Sequence, residues 1–285
     1  MIIWLASYPK SGNTMLRSML SAYFFTEDGK FSFNLLKNII QFPNVNLFKK
    51  YDIDTTNENE VLKNYVNIQK KINEENKNSI KFIKSHSAPH DINGYKFTDL
   101  SNTLGVIYIV RDPRSVVKSF SNHYQLSIES AAKSLTTFST LGGNINSNLA
   151  ADRITTHLGS WSTHYNTWKE FKKTNRYLLI KYEDLVLNTE KTFLNILEFI
   201  YTLGKSKLVL DKIKIQNTIE TTKFENLQKL ERDNTFPEAV KTSNNNSVNF
   251  FKYGLNNNLK IKLSDEISQK LEKSFKSEMS EIGYL

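Results

Sequence analysis

The sequence contains no cysteine, and this absence excludes several classes of protein. Disulfide scaffolds, zinc fingers, iron–sulfur proteins and enzymes with a thiol nucleophile all need that residue. Long apolar runs are missing too, because no stretch approaches the roughly 20 residues of a membrane-spanning helix. The chain opens with Met-Ile-Ile-Trp-Leu-Ala, which lacks the basic start of a signal peptide. We therefore expect a cytoplasmic protein without a membrane span.

The composition is that of a folded protein with a modest surplus of positive charge. Of the 285 residues, 39% are hydrophobic and 12% are aromatic, which is enough to build a substantial core. The net charge of +9 favours an anionic partner. Lysine clusters such as Lys49-Lys50, Lys70-Lys71 and Lys172-Lys173 are interrupted by acidic residues, which indicates solvated surface rather than a nucleic-acid-binding face. We therefore predict that the anionic partner is not a nucleic acid.

Four short apolar runs have the β-branched and aromatic character of strands buried on both faces. They are Ile2–Ala6, Ile80–Ile83, Leu104–Val110 and Tyr177–Ile180. Helical spacing of apolar residues predicts helices at Thr14–Phe25, Val61–Ile72, Ser115–Leu126, Ile154–Phe171, Thr189–Leu203 and Ser264–Ile282, with Ser264 as N-cap. This alternation predicts a single α/β domain over residues 1–285, with a P-loop-like three-layer fold and a central, mostly parallel sheet flanked by helices. Three long segments are predicted as loops: Thr26–Asn59, Gly142–Asp152 and Asp233–Asn258.

The first predicted strand is followed by a polar turn that suits an anion. Gly12 allows a tight turn, and the N–H groups at the start of the next helix point toward the ligand. A mobile charge and several hydrogen-bond donors surround this glycine: Lys10, Ser11, Asn13 and Thr14. The turn lacks the Gly-Lys-Ser/Thr of a Walker loop, and with it the residue that holds magnesium. Taken alone, the segment could also be an ordinary strand-to-helix turn.

A second candidate anion site follows the third predicted strand. Arg111 stands at the carboxyl end of that strand, and Ser119 lies about two helical turns further on, so both can reach one anion. The alternative is a local ion pair between Arg111 and Asp112. Two such sites at one sheet edge indicate a nucleotide that carries two separate phosphate groups.

These two segments resemble the motifs of a known family, the PAPS-dependent sulfotransferases, whose donor is 3′-phosphoadenosine 5′-phosphosulfate. YPKSGNTMLR, from Tyr8 to Arg17, is similar to their 5′-phosphosulfate loop, and RDPRSVVKS, from Arg111 to Ser119, is similar to their 3′-phosphate motif. Weaker matches follow in the family's order: Lys84-Ser85-His86, Tyr182-Glu183-Asp184-Leu185, Thr222-Lys223-Phe224 and Phe250-Phe251-Lys252-Tyr253-Gly254. The resemblance runs from the first strand to the C-terminal region and indicates a bacterial-like member of the cytosolic type.

The resemblance implies direct in-line transfer of a sulfuryl group from PAPS to an acceptor, a hydroxyl being favoured over an amine, with no metal required. His86 would be the general base, since an imidazole titrates near neutral pH; His90 is the rival base nearest in sequence. Lys10 would stabilise the leaving phosphate, and Lys84 would contact the phosphosulfate. The implied acceptor is a small molecule, a lipid or a glycan. The sequence leaves open whether the protein forms homo-oligomers.

The same resemblance assigns the residues that would bind the donor. The 5′-phosphate would lie against the turn already described, the 3′-phosphate against Arg111, Ser119, Lys252 and the backbone of Gly254, and the adenine against Met15, Tyr182, Thr222 and Phe224. Two positions depart from the family pattern. Met15 stands where many members have tryptophan, so a thioether replaces an aromatic contact. Lys252-Tyr253-Gly254 carries one charge fewer than the family's Arg-Lys-Gly.

Two other functions compete with this interpretation. A nucleotide-dependent kinase could use the same loop for ATP, with Asp112 holding magnesium, although the Gly-Lys-Ser/Thr signature is absent. A protein without catalytic activity could bind a nucleotide or another polyanion through its positive charge. The paired presence of Lys10 and His86 argues against the second alternative.

Overall fold

The computed structural model describes residues 1–77, 79–142, 154–233, 236, 240–241, 247–252 and 263–285. In chain order the strands are β1 (Ile2–Ala6), β2 (Lys81–Ser85), β3 (Thr103–Val110), β4 (Ser139–Leu141), β5 (Thr156–Gly159), β6 (Tyr177–Lys181), β7 (Val240–Lys241) and β8 (Ser247–Val248). Among the described residues, four of these strands form the main sheet, in the order β2-β1-β3-β6, and every neighbouring pair is parallel. The four predicted strands are thus confirmed to within two residues at each end.

Helices cover both faces of the sheet. They are α1 (Asn13–Phe25), α2 (Val45–Lys49), α3 (Glu58–Glu75), α4 (Pro113–Tyr124), α5 (Ile128–Thr136), α6 (Trp161–Lys169), α7 (Tyr182–Leu187), α8 (Thr189–Leu203), α9 (Lys212–Thr221), α10 (Phe224–Asp233), α11 (Asp265–Ser274) and α12 (Lys276–Ile282). Two 3-10 segments, Phe33–Asn38 and Glu170–Thr174, join them. The predicted α/β class with a helix-flanked parallel sheet is confirmed.

Each face of the sheet has its own apolar core, because successive side chains of a strand point to opposite faces. Trp4 packs with the α3 and α6 side, whereas Ile3 and Leu5 pack with the α1 and α8 side. All five residues of β1 are buried, as expected for a strand covered on both faces. Trp4 also donates its indole N–H to Thr103 Oγ1 at 3.0 Å, so its one polar atom is satisfied inside the core.

The single helix predicted at Ile154–Phe171 is wrong. The structure has β5 first and begins α6 only at Trp161. Gly159 adopts a positive φ of 67°, which breaks the chain direction, and the Ser160 side chain then caps α6 by accepting from the Thr163 N–H. β5 pairs antiparallel with β4, and α6 then packs against β5 and against β3 of the main sheet.

The predicted C-terminal helix is split in two, the first predicted loop contains a short helix, and the described part of the predicted loop Asp233–Asn258 contains β7 and β8. Ser264 caps α11 as expected, but that helix ends at Ser274, and Phe275 separates it from α12 while packing 5.0 Å from the ring of Trp161. The segment predicted as the loop Thr26–Asn59 contains a 3-10 segment and α2. Of the predicted loop Gly142–Asp152, only its first residue lies within the described residues.

The turn after β3 is fixed by Arg114 rather than by Arg111. Asp112 caps α4 by accepting from the Arg114 N–H, and it also accepts from Arg114 Nε at 3.0 Å and Nη2 at 2.7 Å. The same guanidinium donates to Glu272 of α11 at 2.8 Å and to the carbonyl of Tyr284 at 3.0 Å. This half-buried network joins the strand-end turn to the C-terminal helices.

Replacing Arg114 by methionine should destabilise the fold, because it leaves Asp112 and Glu272 without their charged partner. We expect Arg114→Met to lower the free energy of unfolding by about 1–3 kcal/mol in urea denaturation. Lys173→Met is the matched control, since that lysine pairs with Glu170 on the exposed surface and should change stability by less than about 0.5 kcal/mol. Equal effects of the two substitutions would contradict a supporting role for Arg114.

Candidate active site

Residues from the carboxyl ends of four neighbouring strands meet at one edge of the sheet. Parallel pairing aligns Ala6 with Ser85 of β2 and with Tyr108 of β3, and it aligns Val110 with Lys181 of β6. The segments that directly follow these strands are therefore neighbours. They carry the turn after β1, His86, Arg111 and Tyr182, which the sequence placed in one site.

The turn after β1 presents an uncapped helix N-terminus. Lys10 and Gly12 adopt positive φ values of 69° and 103°, and α1 begins at Asn13 with no side-chain capping bond. The first helical bond runs from the Leu16 N–H to the Gly12 carbonyl, so the preceding amides point out of the helix toward an anion. Among the described residues, the buried hydroxyl of Ser11 has no hydrogen-bond partner.

Asn13 shapes this turn from behind. Its side-chain amide donates to the Leu5 carbonyl at 2.9 Å and to Ser7 Oγ at 3.2 Å. The sequence predicted that this side chain would contact the phosphate. Its nitrogen instead joins the turn to β1, so the contribution that the structure supports at this position is the backbone N–H.

Arg111 is buried, with 4% of its surface exposed, and it bridges the two candidate anion sites. Nη1 donates to the Lys10 carbonyl at 3.2 Å, and the guanidinium carbon lies 4.3 Å from the centre of the Tyr182 ring. Nε and Nη2 have no hydrogen-bond partner among the described residues. These two atoms form the guanidinium edge that grips two oxygens of a phosphate or carboxylate side by side. The local ion pair with Asp112 does not form, because that carboxylate is held by Arg114.

The Tyr182 ring requires a glycine at position 12. A Cβ atom on Gly12 would lie 2.3 Å from Tyr182 Cδ2, closer than any real contact. One face of the turn is therefore packed directly against the ring that also supports Arg111. This close approach couples the turn after β1 to the segment after β6.

Lys10 lies beneath the C-terminal motif. Its Nζ is 3.3 Å from the centre of the Phe250 ring, a cation–π contact. The N–H groups of Phe250 and Phe251 donate to the carboxylate of Glu231 at 2.5 and 2.9 Å, which fixes this segment on α10. Lys252 donates to Asn122 Oδ1 of α4 at 2.9 Å. Gly254, predicted to assist at the 3′-phosphate, lies outside the described residues.

His86 follows β2 and is held in one tautomer. Its Nδ1 lies 2.8 Å from the Ser7 carbonyl oxygen, which can only accept, so Nδ1 carries the hydrogen. In the neutral ring the lone pair is then on Nε2, the form that a general base needs. Lys84 lies two residues earlier in β2, opposite Leu5, and is buried with 6% of its surface exposed.

The remaining predicted residues surround this centre at different depths. Thr14 is buried in α1, Met15 belongs to the core on that face, and Ser119 is half-buried on α4. Thr222 is fully buried and donates its hydroxyl to the Thr218 carbonyl at 2.6 Å. Phe224, at the start of α10, packs 6.1 Å from the ring of Phe251. Two of these side chains, Met15 and Thr222, thus already have partners in the core or in their own helix.

The structure adds residues that the sequence analysis did not assign. His164 contacts the main-chain carbonyl of His86, and Tyr108 contacts His164; the sequence analysis gave neither residue a role. Lys118 lies beside the Arg111 site: burial is the main cause that lowers the pKa of Lys118, Asp112 opposes the shift, and Arg111 adds to it. In the sequence, the only feature that pointed to Lys118 was its position directly before Ser119, a predicted ligand of the 3′-phosphate.

Within the described parts of the chain, no group of histidine and acidic side chains is arranged to hold a metal ion. In the same parts, the helices are too short or too polar to cross a membrane.

Comparison with known proteins gives a family match over nearly the whole chain. The model of the sulfotransferase domain matches residues 2–283. Among curated proteins, none matches the sequence.

Solved structures show a similar fold at low sequence identity. The crystal structure of mouse sulfotransferase SULT7A1 complexed with PAP has a TM-score of 0.55 and 17% identity, and the match covers 99% of this chain and 85% of that one. Retinol dehydratase in complex with androsterone and inactive cofactor PAP has a TM-score of 0.58 and 15% identity, over 98% and 80% of the two chains. At this identity the likeness establishes the fold.

The close approach at Gly12 can be separated from the cost of its backbone conformation. Gly94 has a positive φ of 81°, but nothing lies within 4 Å of an added Cβ. We expect Gly94→Ala to lower the free energy of unfolding by about 1–2 kcal/mol from the conformation alone. Gly12→Ala should cost a further 1–3 kcal/mol or so, because the methyl group overlaps the Tyr182 ring. Urea denaturation measures both, and similar losses in the two variants would show that this ring can move aside.

Proposed function

Because the chain belongs to the sulfotransferase family, we propose that it transfers a sulfuryl group from PAPS to the hydroxyl of an acceptor molecule. One observation carries the proposal: the buried guanidinium of Arg111 bridges two candidate anion sites, and one of its hydrogen-bonding edges has no partner among the described residues. A donor with phosphate groups at both ends of its ribose matches this pair of sites.

The residues at the site fit the two charged ends of the donor. The uncapped start of α1, the buried hydroxyl of Ser11 and the Lys10 ammonium would hold the 5′ end. The free edge of Arg111 would hold the 3′-phosphate, with Ser119 and Lys252 as further donors. When bound, PAPS supplies the sulfuryl group from its 5′-phosphosulfate.

His86 would act as the general base. With the hydrogen on Nδ1, Nε2 can accept the proton of the acceptor hydroxyl as its oxygen attacks sulfur. The Ser7 carbonyl keeps its hydrogen bond throughout and stabilises the imidazolium that forms. The Ser7 contact therefore fixes both the orientation of the ring and the nitrogen that takes the proton.

Lys10 and Lys84 would neutralise the charge that develops on the departing 5′-phosphate oxygen. A cation at this position stabilises the transition state more than the bound donor, because the negative charge grows as the S–O bond breaks. The cation–π contact with Phe250 costs little to give up, since such contacts contribute about 0.5–2 kcal/mol. Lys10 can therefore move from the ring to the phosphosulfate.

The adenine would lie near Phe224, with Met15, Tyr182 and Thr222 supporting the pocket from the core. Tyr182 has a defined task in this arrangement, because its ring carries the Arg111 guanidinium. The acceptor would be a small molecule, a lipid or a glycan, entering beside the exposed ring of Phe138, which packs 5.2 Å from His90. A cytoplasmic location and a single domain complete the proposal.

A kinase would need a carboxylate to hold magnesium, and the candidate carboxylate is already hydrogen-bonded. Asp112 is the carboxylate that would hold the ion, and three nitrogens of Arg114 already occupy its two oxygens. Releasing it would break the cap of α4 and the bridge to the C-terminal helices.

The proposal is tested by transfer of labelled sulfate from PAPS to a panel of phenols, aliphatic alcohols and simple glycosides. We expect turnover with at least one hydroxyl compound in the presence of EDTA. His86→Gln should lower kcat by about 10²–10⁴-fold, the usual contribution of a general base. His90→Gln should stay within a few-fold of the wild type. The reverse ranking of the two variants would assign the base to His90.

Arg111 should discriminate the 3′-phosphate specifically. We expect Arg111→Met to weaken binding of 3′,5′-ADP by about 10–100-fold, because a bidentate charged contact is lost, and to change binding of 5′-AMP much less. Isothermal titration calorimetry measures both affinities. Arg176→Met is the control, since that guanidinium binds carbonyls at the opposite end of β3. Equal losses for the two nucleotides would make Arg111 a structural residue.

A further inference from the structure

His164 is a fully buried histidine whose two ring nitrogens are both engaged. Nε2 lies 3.0 Å from the carbonyl oxygen of His86, and Nδ1 lies 2.9 Å from the hydroxyl of Tyr108. A carbonyl only accepts, so Nε2 carries the hydrogen and Nδ1 accepts from the tyrosine. Burial lowers the pKa of His164 to about 3, so the ring remains neutral. The direction of both hydrogen bonds is therefore fixed.

These contacts form a chain of hydrogen bonds behind the proposed base. The chain runs from the Tyr108 hydroxyl through the His164 ring to the His86 carbonyl, and the His86 ring donates in turn from Nδ1 to the Ser7 carbonyl. Burial raises the pKa of Tyr108 well above its ordinary value, so its hydroxyl keeps the hydrogen that it donates to His164. The chain ends at Ser7, close to the start of the turn that carries Lys10.

His86 stands just outside the paired part of the main sheet. β2 ends at Ser85, so the backbone of His86 lies beyond the last paired strand residue. Two parts of His86 are held by different segments: the ring contacts Ser7, and the main-chain carbonyl accepts from His164. The second contact comes from α6, a helix on a different part of the chain.

We propose that His164 is a positioning residue that fixes His86 relative to the turn that carries Lys10. The inference rests on the proposed function, since it assumes that His86 is the base. His164 keeps its proton throughout and touches no substrate. Its effect is geometric, because a displacement of about 1 Å between reacting groups can lower a rate by roughly a hundredfold.

Two substitutions separate the two hydrogen bonds of His164. Glutamine places an N–H near the position of Nε2 and can still reach the His86 carbonyl. Asparagine is shorter: its amide oxygen lies near the position of Nδ1 and can accept from Tyr108, but it does not reach His86. The two variants are matched in chemistry and differ in which contact survives.

We expect His164→Asn to lower kcat by about 10–100-fold while the Kd for 3′,5′-ADP changes by less than about threefold. His164→Gln should remain within about fivefold of the wild type, a rescue that a merely structural role does not predict. Turnover is measured with the best hydroxyl compound of the acceptor panel. Equal losses in the two variants, or wild-type kcat in His164→Asn, would overturn the proposal.

Trp4→Phe controls for loss of stability alone. It removes a buried hydrogen bond of similar length, to Thr103 at the opposite end of the sheet, and should leave kcat within twofold. A drop in kcat matching that of His164→Asn would mean that any loss of stability disturbs the site.

Nitrogen-15 spectra of the histidine rings test the inference without turnover. The His86 signal, assigned by its loss in His86→Gln, should report hydrogen on Nδ1 in the wild type and in His164→Gln. If His164→Asn fails to fold, the wild-type spectrum still tests the proposal. A His86 ring whose hydrogen exchanges between the two nitrogens would contradict the held geometry. Failure of the proposed function has a separate signature, since the wild type would then not bind 3′,5′-ADP at all.

Discussion

The site depends on the contact between the Arg111 guanidinium and the Lys10 carbonyl. Arg111 ends β3, and Lys10 lies in the turn after β1, so the contact ties together the segments that would bind the two phosphate groups. Tyr182 from the end of β6 packs against both Arg111 and Gly12. A parallel sheet makes this convergence possible, because all of its carboxyl ends lie at one edge. The spacing between the two candidate phosphate sites is thus set by the separation of neighbouring strands.

Burying a polar group such as the Arg111 guanidinium lowers the stability of the fold unless a ligand or the protein forms its hydrogen bonds. The two arginines of the turn after β3 differ in whether the protein forms these hydrogen bonds. Arg114 uses Nε and Nη2 to hold Asp112 and thereby fixes the fold. The same edge of Arg111 has no partner among the described residues, which is the arrangement expected of a ligand-binding group. Among the histidines, both ring nitrogens of His164 are hydrogen-bonded to protein groups, whereas the proposed base is His86.

The parts of the fold with strong local signals were predictable. The four buried strands and the cap at Ser264 follow from patterns within a few residues of one another. The helix predicted at Ile154–Phe171 was wrong because β5 pairs with a distant strand, an interaction that helical spacing does not reveal. The role inferred for His164 could not be predicted from the sequence for the same reason. Its partners, His86 and Tyr108, are separated from it by more than fifty residues and meet it only in the folded chain.

The central claim is that the sheet edge binds a nucleotide with phosphate groups at both its 3′ and 5′ positions. The most direct measurement is a calorimetric titration of the wild-type protein with 3′,5′-ADP in EDTA, compared with ATP and magnesium at the same salt concentration. The account predicts tight, metal-independent binding of 3′,5′-ADP and weak binding of ATP. A preference for magnesium-ATP, or binding of neither nucleotide, would contradict it.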